Sequence, residues 1–508
     1  MAITTRQPRA RRLSALAASL LVAFPAAAAE WNVVPSLRTR LSYSDNVHLL
    51  PEPLARAETI GEIAPGISIS ASARRLRFDA AYSVSQVSYS REPSSVTHNL
   101  HAGAQAELVE DWLFAGARAS ISRMAVSPFG PQPVDGAVRG ANESSVRVLG
   151  ITPTLRHRVP GLAALEARFA YEDVSAGARL LRARSGAAAI TLASDGLHGW
   201  GWDTQYQRKR VDDASVSPVN LTSASGALRY APTPRLRLSA RSGYEDNDYR
   251  SIAGPAQGHF WHAALDWNPS RRSSLSVSTG RRYFGKTYGL DLSHRARRSL
   301  WQLSYGEDIT STHAQFLALN QLDTSAVLNA LWATSIPDAQ LRQRQVALFL
   351  AAVQVLGPGR GTVNYFSHGY FLQKLLVGSI ALQGARNTLV LNAVRETRTA
   401  QTSNIIDSEL LPPGEATLFD RTRQRSASAL WSWRLASRSS LNAAATRKLV
   451  TALSSGRTDT NTILRAGLAH QFQPRLGGTL DLRHVRHDSS SGGAYRENAI
   501  SVSLAMQF

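Results

Sequence analysis

Apolar and polar residues alternate with a period of two along most of the chain. Leu76, Phe78, Ala80, Tyr82 and Val84 are separated by Arg77, Asp79, Ala81, Ser83 and Ser85. Leu100, Ala102, Ala104, Ala106 and Leu108 alternate with His101, Gly103, Gln105 and Glu107. Leu236, Leu238, Ala240 and Tyr244 alternate with Arg235, Arg237, Ser239 and Arg241, and Trp261, Ala263, Leu265 and Trp267 with His262, Ala264 and Asp266. Period two marks a β-strand with one apolar and one polar face. Each segment runs for about 10 residues, the length of a tilted strand that crosses a membrane.

Connections alternate between short and long. Short turns fall at 72–74, 109–111, 194–196, 231–234, 268–271, 383–385, 436–437 and 472–474. Long connections fall near 44–58, 88–98, 124–143, 174–185, 209–219, 245–258, 397–423, 450–459 and 486–496. Tight turns at one rim and long loops at the other predict an all-β fold, a transmembrane antiparallel up-and-down barrel. A soluble sandwich does not require this alternation, and its strands are usually shorter. A first strand from Trp31, ten hairpins and a closing strand over 498–508 give 22 strands, with 20 or 24 as alternatives. In the closing strand, Ile500, Val502, Leu504, Met506 and Phe508 alternate with Ser501, Ser503, Ala505 and Gln507. Phe508, Met506 and Leu504 form the expected assembly signal, an apolar strand edge offered to the barrel assembly machinery by β-augmentation.

Residues 310–369 interrupt the rhythm as one long insertion. Ser335-Ile336-Pro337-Asp338 reads as a helix start. Val346, Phe349, Leu350 and Val353 then recur at helical spacing, and Gly357-Pro358-Gly359 ends the segment. A second, shorter helix is expected over 323–333. Such an insertion is either a surface lid or a constriction folded into the lumen.

The first 29 residues have a different character. Arg6, Arg9, Arg11 and Arg12 precede an apolar run over 13–24 and the small-residue site Ala27-Ala28-Ala29. This is the layout of a cleaved signal peptide, with residues 30–508 as the barrel. Twelve apolar residues are too few for a spanning helix, which needs about 20.

Composition narrows the chemistry. Hydrophobic residues make up 43% of the chain and charged residues 19%, which excludes disorder. No cysteine is present, so disulfides, thiolate metal sites and thiol nucleophiles are excluded. The net charge is +20, and only Lys209, Lys286, Lys374 and Lys448 among 57 basic residues are lysines. Alternation places Arg38, Arg40, Arg75, Arg77, Arg118, Arg156, Arg168, Arg235, Arg237, Arg241, Arg475 and Arg483 on the inward face. Asp79, Glu107, Glu166, Asp203 and Asp481 share it. Two readings stand: a lumen that favours anions, or Arg–carboxylate ladders that brace the wall. Arginines at the rims also suit outer-membrane lipid and lipopolysaccharide. Trp112, Trp200, Trp202, Trp261, Trp267, Trp431 and Trp433 fit interfacial girdles.

No catalytic constellation, cofactor site or metal site emerges. His484 and His487 are three apart and on a strand point to opposite faces. No nucleophile elbow, phosphate loop or helical zinc motif is present. The arginines spread over many strands, unlike a nucleic-acid interface.

Four segments resemble one family. They are Trp31-Asn32-Val33-Val34-Pro35-Ser36-Leu37 with Tyr43-Ser44-Asp45-Asn46-Val47; Ile63-Ala64-Pro65-Gly66-Ile67; the 336–354 helix with Leu382-Gln383-Gly384-Ala385-Arg386-Asn387-Thr388-Leu389; and Tyr495-Arg496-Glu497-Asn498. Together they resemble the outer-membrane barrels encoded with exosortase/PEP-CTERM exopolysaccharide systems. The resemblance covers nearly the whole chain after residue 29, through short motifs. It implies a Gram-negative outer-membrane protein tied to exopolysaccharide production and protein sorting, with an anionic polysaccharide as a candidate partner. It implies no substrate and no catalytic residue. The alternatives are a general porin-type channel and a structural or assembly barrel. A plugged transporter needs a plug domain before the barrel, and alternation already begins at Trp31.

Overall fold

The computed structural model describes residues 30–508 apart from 126, 133, 135–141, 178–180, 195–198, 214–216, 253, 318–323, 333–341, 343–345, 347–368 and 403–419. The expected signal peptide lies outside the described residues. So does the 336–354 helix, except for Arg342 and Val346.

Twenty-two strands follow one another around a single closed sheet. They are β1 (Glu30–Ser44), β2 (Glu58–Ala73), β3 (Leu76–Tyr89), β4 (Ser95–Val109), β5 (Leu113–Ala125), β6 (Glu143–Val159), β7 (Ala163–Ala176) and β8 (Leu181–Ser194). Next come β9 (Trp200–Asp213), β10 (Val219–Thr233), β11 (Leu236–Asn247), β12 (Gln257–Ser270), β13 (Ser273–Arg282), β14 (Gly285–Arg295) and β15 (Ser299–Ser311). After the insertion follow β16 (Tyr370–Gln383), β17 (Asn387–Ala400), β18 (Arg421–Ala436), β19 (Ser439–Ala452), β20 (Thr458–Gln473), β21 (Leu476–Ser489) and β22 (Tyr495–Gln507). The count agrees with the reading of 22. Several strands run one or two residues closer to the short-turn rim than turn residues suggested, because ladder pairing carries Ser and Ala to the edge. β10, for example, continues to Thr233, and the turn is Pro234-Arg235.

Closure removes both sheet edges. β1 pairs antiparallel with β22 from Ser36↔Gln507 to Ser44↔Ala499. In lipid every backbone N–H and C=O must be satisfied internally, which closure achieves. The seam is locked above the last ladder pair. Asn498 donates its backbone N–H and its side-chain amide to the Asp45 carboxylate, at 2.7 and 2.8 Å. Asn46 donates to the Arg496 carbonyl at 2.9 Å, and Ser44 to Glu497 at 2.8 Å.

Alternation sorts the two faces as expected. Leu228, Leu482 and Val502 each expose more than half of their surface on the exterior. Leaving such groups in water costs about 25 cal/mol per Å², so this belt is a lipid-facing surface. Trp31, Trp112, Trp200, Trp267, Trp301 and Trp433 are exposed near the short-turn rim, whereas Trp261 lies toward the other end. Tyr43, Tyr244 and Tyr288 occupy the outer face at the long-loop side. The girdle is therefore mainly Trp at one interface and mainly Tyr at the other.

Candidate functional site: an ion-paired lumen

The inward face is polar, and most of its long arginines meet carboxylates. Arg38 lies 3.4 Å from Glu62, Arg118 2.6 Å from Glu172, and Arg156 2.9 Å from Glu166. Arg241 and Arg229 share Asp203, at 2.5 and 3.3 Å. Arg483 meets the fully buried Glu497 at 2.5 Å. Arg40 donates to Ser501 at 3.3 Å. Nine of the twelve arginines expected on this face are there, Arg77, Arg168 and Arg237 among them, as are Asp79, Glu107 and Asp481. The wall is thus a ladder of charge-assisted pairs that hold adjacent strands.

Three of the expected lumen residues are elsewhere. Arg75, Arg235 and Arg475 belong to two-residue turns at the rim, because the strands beside them start one residue later. Arg75 and Arg74 both face Glu110, Arg74 at 3.0 Å. The short turns share a feature that alternation does not show. Turn arginines also stand at Arg271-Arg272, Arg297-Arg298, Arg386 and Arg438, so seven of the ten short turns carry one. The short-turn mouth is a ring of exposed guanidinium groups.

Long loops fold inward at the other end. In the β5–β6 connection, Gly130 donates its N–H to Asp459 at 2.9 Å and Gln132 its N–H to the Tyr495 hydroxyl at 3.2 Å. The Val134 carbonyl accepts from Arg465 at 3.1 Å, and Phe129 is almost fully buried. This loop spans from β5 to the inner wall of β20–β22. In the β11–β12 connection, Tyr249 stacks on Tyr370 with ring centroids 4.4 Å apart, and Ile252 donates its N–H to the Gln401 carbonyl at 2.8 Å.

Described segments of the insertion after β15 pack on the inner wall. The insertion contains α1 (Thr312–Leu317) and α2 (Thr324–Trp332) among its described residues. The second of these is the shorter helix expected over 323–333. On the inner wall, Leu300, Ala381, Val390, Leu430 and Ala444 form one row, each directly paired with the next across β15 to β19. Val327, Leu328 and Leu331 of α2 are buried on this row, together with Val346. Their spacing is that of one helical face. Burying such a side chain contributes about 1.5–3 kcal/mol. The described helix α2 therefore lies on the inner wall rather than over the barrel's outside.

The short helix α1 carries His313, which is 3% exposed. Its two ring nitrogens have no hydrogen-bond partner among the described residues. Burial, with Lys209 adding to it, pushes its pKa down to about 4; Glu172 and Asp213 oppose the shift. The imidazole is therefore neutral where it is buried beside Lys209 and Arg118.

Two dipeptides complete the seam. Asp45 and Asn46, and Glu497 and Asn498, are the dipeptides on which the family resemblance partly rests, and the fold brings the two pairs together. His484 points outward and meets Asn498 at 2.8 Å, while His487 is buried on the inward face, so the two histidines stand apart.

These features define a closed 22-stranded barrel of the membrane-crossing class, with a braced wall and described segments of its loops packed on the inner face. No protein-family model and no curated protein matches the sequence. Solved outer-membrane barrels are similar to it in architecture. The FrpB iron transporter from Neisseria meningitidis (F3-3 variant) is 8% identical with a TM-score of 0.48, over 94% of this chain and 82% of that one. The siderophore receptor PirA from Pseudomonas aeruginosa is 10% identical with a TM-score of 0.45, over 94% and 80%. The outer membrane protein OpdK from Pseudomonas aeruginosa is 10% identical with a TM-score of 0.36, over 94% and 99%. Identities this low speak to the fold alone.

Proposed function

We propose that the chain is a bacterial outer-membrane conduit for an anionic solute or polymer, held closed at rest by its own insertion. The observation that carries this reading is the apolar row on β15–β19 that seats α2. A scaffold barrel has no need of an apolar seat inside a polar wall. The ring of turn arginines supports the anion preference, since fixed positive charge at a mouth concentrates anions. A general porin keeps an open lumen, which the inward loops disfavour. The tie to exopolysaccharide production and PEP-CTERM protein sorting rests on the sequence resemblance, and an acidic polysaccharide is the substrate class that joins it to the basic mouth.

Planar-bilayer recordings test the proposal. The wild-type barrel should conduct little. A chain with 312–369 replaced by a short polar loop should conduct well and select anions. Equal conductance of the two chains would refute the closed-conduit reading.

A further inference from the structure

The outer face of β17–β19 carries a basic feature that the lumen does not use. Arg395 on β17 stands directly opposite Arg425 on β18. Arg421 and Arg423 share that face of β18, and Arg447 shares it on β19. Like charges directly opposite in a sheet are destabilising. Some outward cations elsewhere on this rim are matched, Arg184 to Asp173 at 2.9 Å, Arg210 to Asp212 at 3.0 Å and Arg486, which stands opposite Arg496, to Asp488 at 2.9 Å. Among the described residues no carboxylate pairs with Arg395, Arg425 or Arg447. The Nε of Arg423 is buried and donates to no described group.

Height on the barrel identifies what lies beside the row. Arg425 is eight positions along β18 from the girdle residue Trp433. At about 3.3 Å per residue and a tilt of about 40°, that is roughly 20 Å along the membrane normal. The apolar band of such barrels is about 25 Å tall. The arginines therefore stand at the interface opposite the Trp girdle, on the long-loop side. Directly below them the outward positions are small: Ala393 is paired with Ala427, and Ala445 lies on the next strand. An anion reaching this row from the bilayer sits over a smooth surface that an acyl chain can follow.

We propose that this row binds the phosphate-bearing headgroup of an outer-leaflet glycolipid, whose acyl chains lie over the alanine surface below. Guanidinium groups suit phosphate through paired N–H donors, and a bound phosphate relieves the Arg395–Arg425 opposition. The inference is independent of what passes through the lumen.

Native mass spectrometry of the detergent-purified barrel, incubated with diphosphorylated lipid A, tests it. Wild type should retain the lipid. The triple variant Arg395→Gln, Arg425→Gln, Arg447→Gln should bind it roughly tenfold more weakly or worse. Arg210→Gln, whose charge Asp212 already answers, should bind as wild type does. Heat-modifiable gel migration verifies closure of each variant. If the triple variant fails to close, Arg425→Gln alone, which removes the opposed charge, serves in its place and should show the same direction. Equal retention by wild type and the row variant would overturn the proposal. So would equal loss in Arg210→Gln, or thermal stabilisation by inorganic phosphate that matches stabilisation by lipid A.

Discussion

Arg241 on β11 reaches across β10 to Asp203 on β9, with Nη2 2.5 Å from Oδ2. Arg229 of the intervening strand lies 3.3 Å from the same buried carboxylate. Three neighbouring strands are thus tied at one point. Arg241→Ser is expected to lower stability by about 1.5–3 kcal/mol, the range for hydrogen bonds to charged groups. Arg237→Ser, four residues nearer the short-turn rim, should stay within about 0.5 kcal/mol of wild type. Thermal unfolding in detergent, followed by circular dichroism, measures both, and equal losses would remove the brace from the argument.

The seat of α2 predicts a gain of conductance from a single substitution. Leu328 is fully buried on the wall row. Leu328→Asp places a charge there that no partner answers, so the helix should leave the wall. Channel activity should rise well above wild type while heat-modifiable migration is kept. Conductance unchanged from wild type would show that α2 does not set it.

Acid should weaken the docking of α1. His313 has a pKa of about 4 where it is buried, against an ordinary value of 6.5. The undocked imidazole takes up a proton first as pH falls. Docking is thus at full strength above about pH 6.5 and loses strength as pH drops toward 4. Lys209 and Arg118 repel the charged form, while Glu172 and Asp213 attract it. Hydrogen exchange of α1 amides should accelerate between pH 6.5 and 4, and His313→Phe should flatten that profile. An unchanged profile in His313→Phe would assign the response to another group.

The ring of turn arginines should govern ion preference without affecting folding. Arg271, Arg272, Arg297 and Arg298 are exposed in two adjacent short turns. Replacing all four with serine, in the chain whose insertion has been shortened, should move the reversal potential toward lower anion selectivity. The effect should shrink at high salt, because exposed charges are screened beyond about 8–10 Å at 0.1–0.15 M. Selectivity that ignores the four arginines would place the filter deeper, at Arg77, Arg168 or Arg237.

The strand pattern was legible because lipid permits only one periodicity on the outer face. Leu236, Leu238 and Ala240 announce their strand without help from tertiary context. Inward residues are constrained less, and there the reading was coarser. Arg75, Arg235 and Arg475 fit the alternation arithmetically, but a two-residue turn has no inward face. The seat of α2 also had a signal that alternation masks. Ile380-Ala381-Leu382, Leu389-Val390-Leu391 and Ala429-Leu430-Trp431 are continuous apolar runs on neighbouring strands. Such runs mean burial on both faces, and here they mark where the wall receives a helix. The meeting of Asp45 with Asn498 was beyond reach, since no local pattern tells a chain which distant loop it will join.

That meeting also sets a timetable. The two residues are 453 positions apart, so their bond forms only when the ends of the sheet find each other. Contacts of such long sequence separation are slow to form, because the loop-closure entropy is lost before they reward it. Until then β1 and β22 each present a row of unpaired amides and carbonyls, a template for pairing with another chain. Closure of the seam is therefore the step at which an unprotected chain is most exposed to aggregation, and the Asp45–Asn498 lock acts as the latch that ends the exposure.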